Sequence, residues 1–221
     1  MRIGVDSAPG HAVLFTDTES RVSDDWFDAA TAALTSGAQL IGGPVVTNPS
    51  GLRRPVDAAG FALDYGRHAT PPFLNAEGHP SANNFGAARA LLDAAPSGDL
   101  WKSQLCSWAQ GHGVETSPVT AMLVTSTKRY TPGSLVLDQL QRGRIHGALR
   151  RPTLGIFARL ARIIGAPGVP LIAALRLRGS MPSGRRRART WSITLFGLCG
   201  WAIGEAIGYA AGPAPTSRGF G

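Results

Sequence analysis

Two carboxylates one residue apart, Asp17 and Glu19, are the side chains of this sequence best suited to chemistry. They follow the apolar run Val13-Leu14-Phe15, which contains no turn former and predicts a buried strand. Open α/β sheets keep their ligand sites at the carboxyl ends of strands, where these acids would stand. Two hard oxygen ligands there suit Mg²⁺ or Mn²⁺ bound together with the phosphates of a nucleotide. The alternative is an ordinary strand followed by an acidic turn.

Further polar residues follow in sequence order. The pair Asn83 and Asn84 comes after a region rich in Gly and Pro, and Asp99 opens a predicted helix after a Pro-Ser-Gly turn. Asp99 has the chemistry of a general base, and equally that of a simple helix cap. Arg142 and Arg144 lie on a later predicted helix, where they would contact a diphosphate or form a solvated face.

The elements that must position these residues alternate between strand and helix, which indicates an α/β fold. We predict strands at 11–16, 38–46 and 114–125, helices from about 23 and at 85–95, 99–110 and 134–149, and a long irregular region at 47–80. Long loops beside a rigid sheet commonly bind substrate, so the region 47–80 is expected to do so.

Charge is divided unevenly along the 221 residues, whose net charge is +8. Six carboxylates lie between Asp6 and Asp28, whereas Arg142 to Arg189 contains twelve arginines and no acidic residue. This division suggests two functions in sequence order. A basic nucleic-acid-binding protein is one alternative, but no nucleic-acid motif or aromatic platform accompanies the arginines.

The carboxyl-terminal part predicts contact with a membrane. Residues 151–190 carry the pattern of basic amphipathic and linker helices, and Trp191–Ala211 is long enough to cross a hydrocarbon layer of about 30 Å. A glycine stripe suited to close packing against a partner helix is formed by Gly200, Gly204 and Gly208. The alternative is a glycine-rich buried helix of a soluble domain. The preceding arginines would place the catalytic part at the cytoplasmic face of the cell membrane.

Several short motifs, in this order, resemble the family 2 glycosyltransferases of the GT-A fold. RIGVDSAPG at 2–10 resembles the family's approach to its metal strand, and VLFTDTE at 13–19 resembles its metal-binding "vlFlDaD". DWF at 25–27, IGG at 41–43 and SANNF at 81–85 resemble its "pdWl", "vvGG" and "gaNnaf". GEAIGY at 204–209 resembles the "GexxGY" that ends membrane-bound members. The resemblance covers nearly the whole chain.

The resemblance implies an inverting transferase that moves a sugar from a nucleotide-diphosphate donor to an acceptor hydroxyl on a lipid or polysaccharide. Asp17 and Glu19 would match the motif that binds Mg²⁺ or Mn²⁺ with the diphosphate, and Asp99 would match the catalytic base. The substrate-binding side chains would be Asn83, Asn84, Arg142 and Arg144.

The implied architecture is a partial GT-A, Rossmann-like mixed sheet flanked by helices and followed by amphipathic and hydrophobic helices. It divides into a catalytic portion at 1–150, linker helices at 151–190, a candidate transmembrane helix at 191–212 and a disordered tail at 213–221. The resemblance begins where the family already has its metal strand, so we expect the strands that hold the base and ribose to be absent from this chain. A non-catalytic, membrane-associated remnant of the fold is therefore a second hypothesis.

Overall fold

The computed structural model describes residues 2–48, 54–96, 102–176 and 187–212. These residues form two compact units. Unit 1 takes its residues from 1–48 and 65–128, and unit 2 from 49–64 and 129–220. The predicted tail at 213–221 and Asp99 lie outside the described residues.

Short strands and helices alternate through the first two thirds of the chain, and helices follow. The strands are β1 Ala12–Phe15, β2 Ser20–Val22, β3 Leu40–Gly42, β4 Val45–Thr47, β5 Phe85–Ala88, β6 Thr116–Pro118 and β7 Val124–Ser126. The helices are α1 Arg2–Ser7, α2 Trp26–Thr35, α3 Pro55–Tyr65, α4 Arg89–Ala94, α5 Lys102–Gly111, α6 Pro132–Arg150, α7 Ile156–Gly165, α8 Val169–Arg176 and α9 Arg187–Ala211. This alternation confirms the α/β class.

Unit 1 is built on two mixed sheets. The larger has the order β1-β5-β3-β6, in which β5 runs antiparallel to both neighbours and β3 and β6 are parallel. The smaller has the order β2-β7-β4, antiparallel and then parallel. One core cluster joins Leu40 and Phe85 to Leu105 of α5, and a second joins Ile41 to Trp26 of α2. The first strand, predicted at 11–16, is confirmed as β1.

The prediction of helix at 85–88 is wrong, because these residues form the central strand β5. The segment Phe-Gly-Ala-Ala has little strand propensity of its own, and tertiary contacts decide its state. A Cβ at Gly86 would lie 2.5 Å from the Leu14 side chain and 3.0 Å from that of Ile41. Only glycine fits between the two flanking strands. Gly86 therefore lowers the strand propensity of its own segment and is nevertheless required by the packing of the sheet.

The prediction of a long, partly ordered loop region at 47–80 is also wrong over Pro55–Tyr65, which form the regular helix α3. Pro55 fits the first turn of a helix, where its missing N–H costs nothing. Gly60 lowers the local helix propensity, and its position is explained by packing: a Cβ there would lie 2.5 Å from the ring of Tyr130. The helix is therefore stabilised by contacts within unit 2.

The helices α6 and α9 form the centre of unit 2 and approach each other through glycine. A Cβ at Gly204 would collide with the carbonyl oxygen of Leu140, and one at Gly208 with that of Arg144. From the other side, Gly143 meets the carbonyl oxygen of Trp201. The predicted glycine stripe thus faces a helix of the same chain. The boundary expected at 150 falls between helices that the structure groups into one unit.

In the described part of the chain, two helical segments are long and apolar enough to cross a membrane, Ile156–Leu175 and Ala188–Ala211. The second coincides with the predicted candidate transmembrane helix. The first spans α7, a 3₁₀ turn at Ala166–Gly168 and most of α8. Only 6% of its most apolar window is buried, against 44% for the second.

Candidate functional site

The acidic pair lies just beyond the carboxyl end of β1, and both side chains are exposed. The backbone N–H of Glu19 donates to Oδ1 of Asp17 at 3.2 Å, closing a local turn. Such Asx turns are a common way for an aspartate to shape a loop. The turn fixes the main chain between the two acids and leaves both carboxylates at the surface.

The loop that carries the acids is held from two directions within unit 1. Thr127 donates to the carbonyl oxygen of Glu19 through its N–H, at 2.8 Å, and through its hydroxyl, at 2.9 Å. On the other side, the Asn83 amide donates to the hydroxyl of Ser20 at 2.9 Å. Since Ser20 follows Glu19, the structure brings Asn83 into the neighbourhood of the acidic pair. The loop therefore has a defined course on a rigid sheet.

The two asparagines that the sequence treats alike have different environments. Asn84 is completely buried, and its Oδ1 accepts from the Trp26 indole at 2.8 Å. Its Nδ2 donates to the carbonyl oxygens of Pro44 and Met122, at 2.9 and 2.7 Å. These contacts join three segments of unit 1, and we assign Asn84 a structural role. Asn83, which bonds to Ser20, is the asparagine next to the acids.

Arg142 and Arg144 lie on α6 in unit 2, and both have partners there. The Arg142 guanidinium binds Asp64 through two nitrogens, at 2.7 and 3.2 Å, and that carboxylate also accepts from Tyr130 and Gln139. Arg144 donates through Nε to the carbonyl oxygen of Gly212 at 3.1 Å. A phosphate contact by either arginine would compete with these bonds.

The acidic pair would supply two carboxylate ligands to a metal ion. Within the described ranges, no three side chains of His, Cys, Asp or Glu come together as a metal site. Two carboxylates alone leave most positions around a Mg²⁺ ion to water and to substrate oxygens, which is how this ion is commonly bound in nucleotide enzymes. The donor set therefore fits a cation that arrives with a diphosphate.

Four polar side chains that the sequence did not single out lie together in unit 1, and we define them, Glu77, His79, Lys102 and Gln110, as the His79 cluster. His79 is buried and Lys102 half-buried, whereas Glu77 and Gln110 are exposed. Lys102 donates to the carbonyl oxygen of Pro80 at 2.6 Å, and His79 Nε2 lies 3.3 Å from Gln110 Oε1. Burial lowers the pKa of both Lys102 and His79. Lys102 and Gln110 lie eight residues apart on α5, about 80° apart around the helix axis, so no local spacing marks the cluster in the sequence.

A cavity of about 390 Å³ adjoins this cluster, since Gln110 belongs to both. It is lined by Leu74, Gly78, Gln110, Gly113, Glu115 and Thr116. Two buried polar atoms of the described part of the chain, His79 Nδ1 and Thr116 Oγ1, have no hydrogen-bond partner. A buried polar group is normally satisfied, so Thr116 Oγ1, which belongs to the cavity lining, favours a polar occupant there. His79 is not part of the lining, and its Nδ1 lies 3.7 Å from Glu77 Oε2.

His68 makes unit 1 sensitive to acid. Burial lowers its pKa from 6.5 to about 4, and its Nδ1, 3.0 Å from the Phe73 carbonyl oxygen, must carry the proton of the neutral ring. Between these two pKa values the unfolded chain binds a proton that the folded chain does not. The contribution of the neutral His68 to the free energy of unfolding is therefore complete above pH 6.5 and is lost as the pH falls towards 4.

We expect the free energy of unfolding, measured by urea denaturation, to fall by about 3 kcal/mol between pH 6.5 and pH 4. His68→Asn keeps an N–H donor and removes the titration, so the variant should show a shallower pH dependence. The exposed His112, replaced in the same way, is the control and should leave the pH dependence unchanged. An equal slope for all three proteins would contradict the assignment to His68.

Comparison of the chain with protein-family models gives no match, and comparison with curated proteins gives none either.

Proposed function

We propose that this chain carries part of the catalytic domain of an inverting glycosyltransferase that uses a nucleotide-diphosphate sugar. The observation that carries the proposal is the exposed pair Asp17 and Glu19, presented just beyond a sheet strand on a loop held by Thr127 and Asn83. A carboxylate pair at a strand end is the arrangement expected at a ligand site of an α/β sheet. The resemblance of the surrounding motifs to family 2 glycosyltransferases supports the same assignment.

Asp17 and Glu19 would hold Mg²⁺ or Mn²⁺ together with the donor diphosphate. Such an ion, when bound, neutralises the negative charge that grows on the departing diphosphate. The chain's own part is to orient the two carboxylates through the Asx turn and to keep Asn83 beside them. Asn83 is buried, and its amide would contact the sugar or the phosphates only by exchanging its bond to Ser20 for them.

Asp99, which lies outside the described residues, is proposed as the general base. It would accept the proton of the acceptor hydroxyl as the oxygen bonds to the anomeric carbon and the nucleoside diphosphate leaves. Arg142 and Arg144 would contact the diphosphate only if they exchanged their present partners for it. The acceptor would be a glycan or lipid hydroxyl at the cytoplasmic face of the membrane, in keeping with the two apolar segments of unit 2.

The test is Mn²⁺ binding followed by electron paramagnetic resonance, with inorganic pyrophosphate or uridine diphosphate present. Pyrophosphate reports on the diphosphate site without requiring a pocket for the base. Asp17→Asn and Glu19→Gln should each weaken Mn²⁺ binding by about tenfold or more, because each removes one of two anionic ligands.

Asp28→Asn, at an exposed acid of the same unit, is the matched control and should leave Mn²⁺ binding unchanged. Equal affinity of all variants and the parent would remove the metal role and with it the proposed transferase. Failure of the parent to bind Mn²⁺ with either probe would favour the non-catalytic remnant.

A further inference from the structure

The two apolar segments of unit 2 differ in how far their side chains are covered by the rest of the protein. In α9, one side is covered, with Thr190, Thr194 and Ala202 buried. In α7 and α8 the large apolar side chains point outwards; they are Ile156, Phe157, Leu160, Ile164, Leu171, Ile172 and Leu175. Length and apolarity alone therefore do not distinguish these segments, whereas packing does.

Helix α9 is tied to α6 over most of its length. Its covered face meets α6 backbone at three successive turns, through Gly200, Gly204 and Gly208. The α6 helix returns the contact through Gly143 and Gly147, which meet the carbonyl oxygens of Trp201 and Glu205. Small residues on both sides bring the two backbones into direct contact, so α6 accompanies α9 wherever it lies.

The α6 helix is too polar to lie in hydrocarbon. Between the positions that contact Gly200 and Gly208 it carries Asp138, Gln139 and Arg142. Arg142 is paired with Asp64 of α3, so a bilayer around α9 would also enclose part of that helix. Charged groups at the bilayer centre are strongly disfavoured. These neighbours argue against α9 as a membrane-spanning helix and explain its apolar sequence by burial against protein.

The α7–α8 segment has the features of a helix that lies on a membrane. Phe157 is 84% exposed and Ile164 77% exposed, and both stand on α7. Arg159 and Arg162 share that helix, which at about 15 Å is half of what a hydrocarbon layer requires. The turn at Ala166–Gly168 separates it from α8. Exposed apolar and arginine side chains on short helices are typical of interfacial segments.

We infer that the exposed face of α7 and α8 docks on an anionic phospholipid bilayer. The chain is thereby held at the membrane surface, and α9 does not cross the membrane. Charge complementarity selects the lipid, since α7 carries Arg159 and Arg162 and the sequence from 142 to 189 contains no acidic residue. This inference does not rest on the proposed transferase, because it uses residues of unit 2 alone.

Sedimentation with vesicles tests the docking. The full chain should bind vesicles of phosphatidylcholine and phosphatidylglycerol, bind pure phosphatidylcholine at least about tenfold more weakly, and lose affinity as salt is raised. The double variant Phe157→Gln with Ile164→Gln should lose about tenfold or more in affinity. Both side chains are exposed, so folding should persist by circular dichroism.

Phe27→Gln is the matched control, since Phe27 is 63% exposed on α2 of unit 1. It should bind vesicles like the parent. Equal losses for control and double variant, or unchanged binding of the double variant, would overturn the inference. So would a stable dimer of the parent that the double variant dissociates, because the face would then belong to a second copy of this chain.

Cysteine labelling tests the path of α9. In a Cys199→Ser background, Ser192→Cys and Ala210→Cys place thiols near the two ends of α9 at exposed positions. In sealed membrane vesicles both thiols should react with an impermeant maleimide from the same side. If one of the two thiols reacted with the maleimide only after detergent was added, α9 would cross the bilayer, and this part of the inference would be overturned.

Discussion

Gly204→Ala is expected to lower the free energy of unfolding by about 2 kcal/mol or more, although alanine is normally the better helix residue. The added Cβ would collide with the carbonyl oxygen of Leu140 and approach the backbone nitrogen of Arg144 at 2.9 Å. Both are backbone atoms, which cannot rotate away, so α6 and α9 must separate along the interface. Urea denaturation followed by far-ultraviolet circular dichroism measures the loss.

Gly133→Ala is the matched control for this prediction. Gly133 lies in α6 itself, and a Cβ there meets no atom within 4 Å. The helix propensity of alanine should then stabilise the protein by up to about 1 kcal/mol. The two substitutions are chemically identical and are expected to have opposite signs. If both stabilised the protein, α6 and α9 would not be in contact at this register.

Asn84→Ala is expected to cost about 3 kcal/mol or more of folding stability. It leaves the Trp26 indole N–H without its acceptor and the carbonyl oxygen of Met122 without this donor, at a completely buried position, whereas the carbonyl oxygen of Pro44 keeps the N–H of Val124 at 3.0 Å. Each unsatisfied buried group costs about 1–3 kcal/mol. Loss of the pairing between these segments should appear as a lower urea midpoint.

Asn84→Asp separates the donor role of this side chain from its size. The aspartate would keep an acceptor for Trp26 and turn an oxygen towards two carbonyl oxygens, so we expect a loss at least as large as for alanine. Asn83→Ala is the comparison, because it removes the bonds to Ser20 and Ser81 near the surface loop. It should reduce stability less and weaken Mn²⁺ binding with pyrophosphate. The opposite ranking of the two asparagines would contradict the assigned roles.

Features that depend only on neighbouring residues could be predicted before the fold was known. The apolar run before Thr16 and the abrupt change of polarity after it locate β1 and leave Asp17 and Glu19 exposed at its end. The length of α9 and the four-residue spacing of its glycines are likewise local, since helix geometry converts spacing into a face. The α/β class followed from the alternation of such segments.

Packing and burial that depend on residues distant in the chain could be known only from the tertiary structure. Gly86 and Gly60 weaken their segments locally, and Leu14, Ile41 and Tyr130 explain why glycine stands there. Asn83 and Asn84 are adjacent in sequence and both are buried, and only the approach of Trp26, Pro44 and Met122 gives Asn84 its hydrogen-bond partners. The glycine stripe of α9 could not reveal its partner, because the α6 residues that it contacts lie about sixty positions earlier, as Leu140 does from Gly204. Burial against that helix, and not apolar composition, separates a core helix from a membrane-bound one.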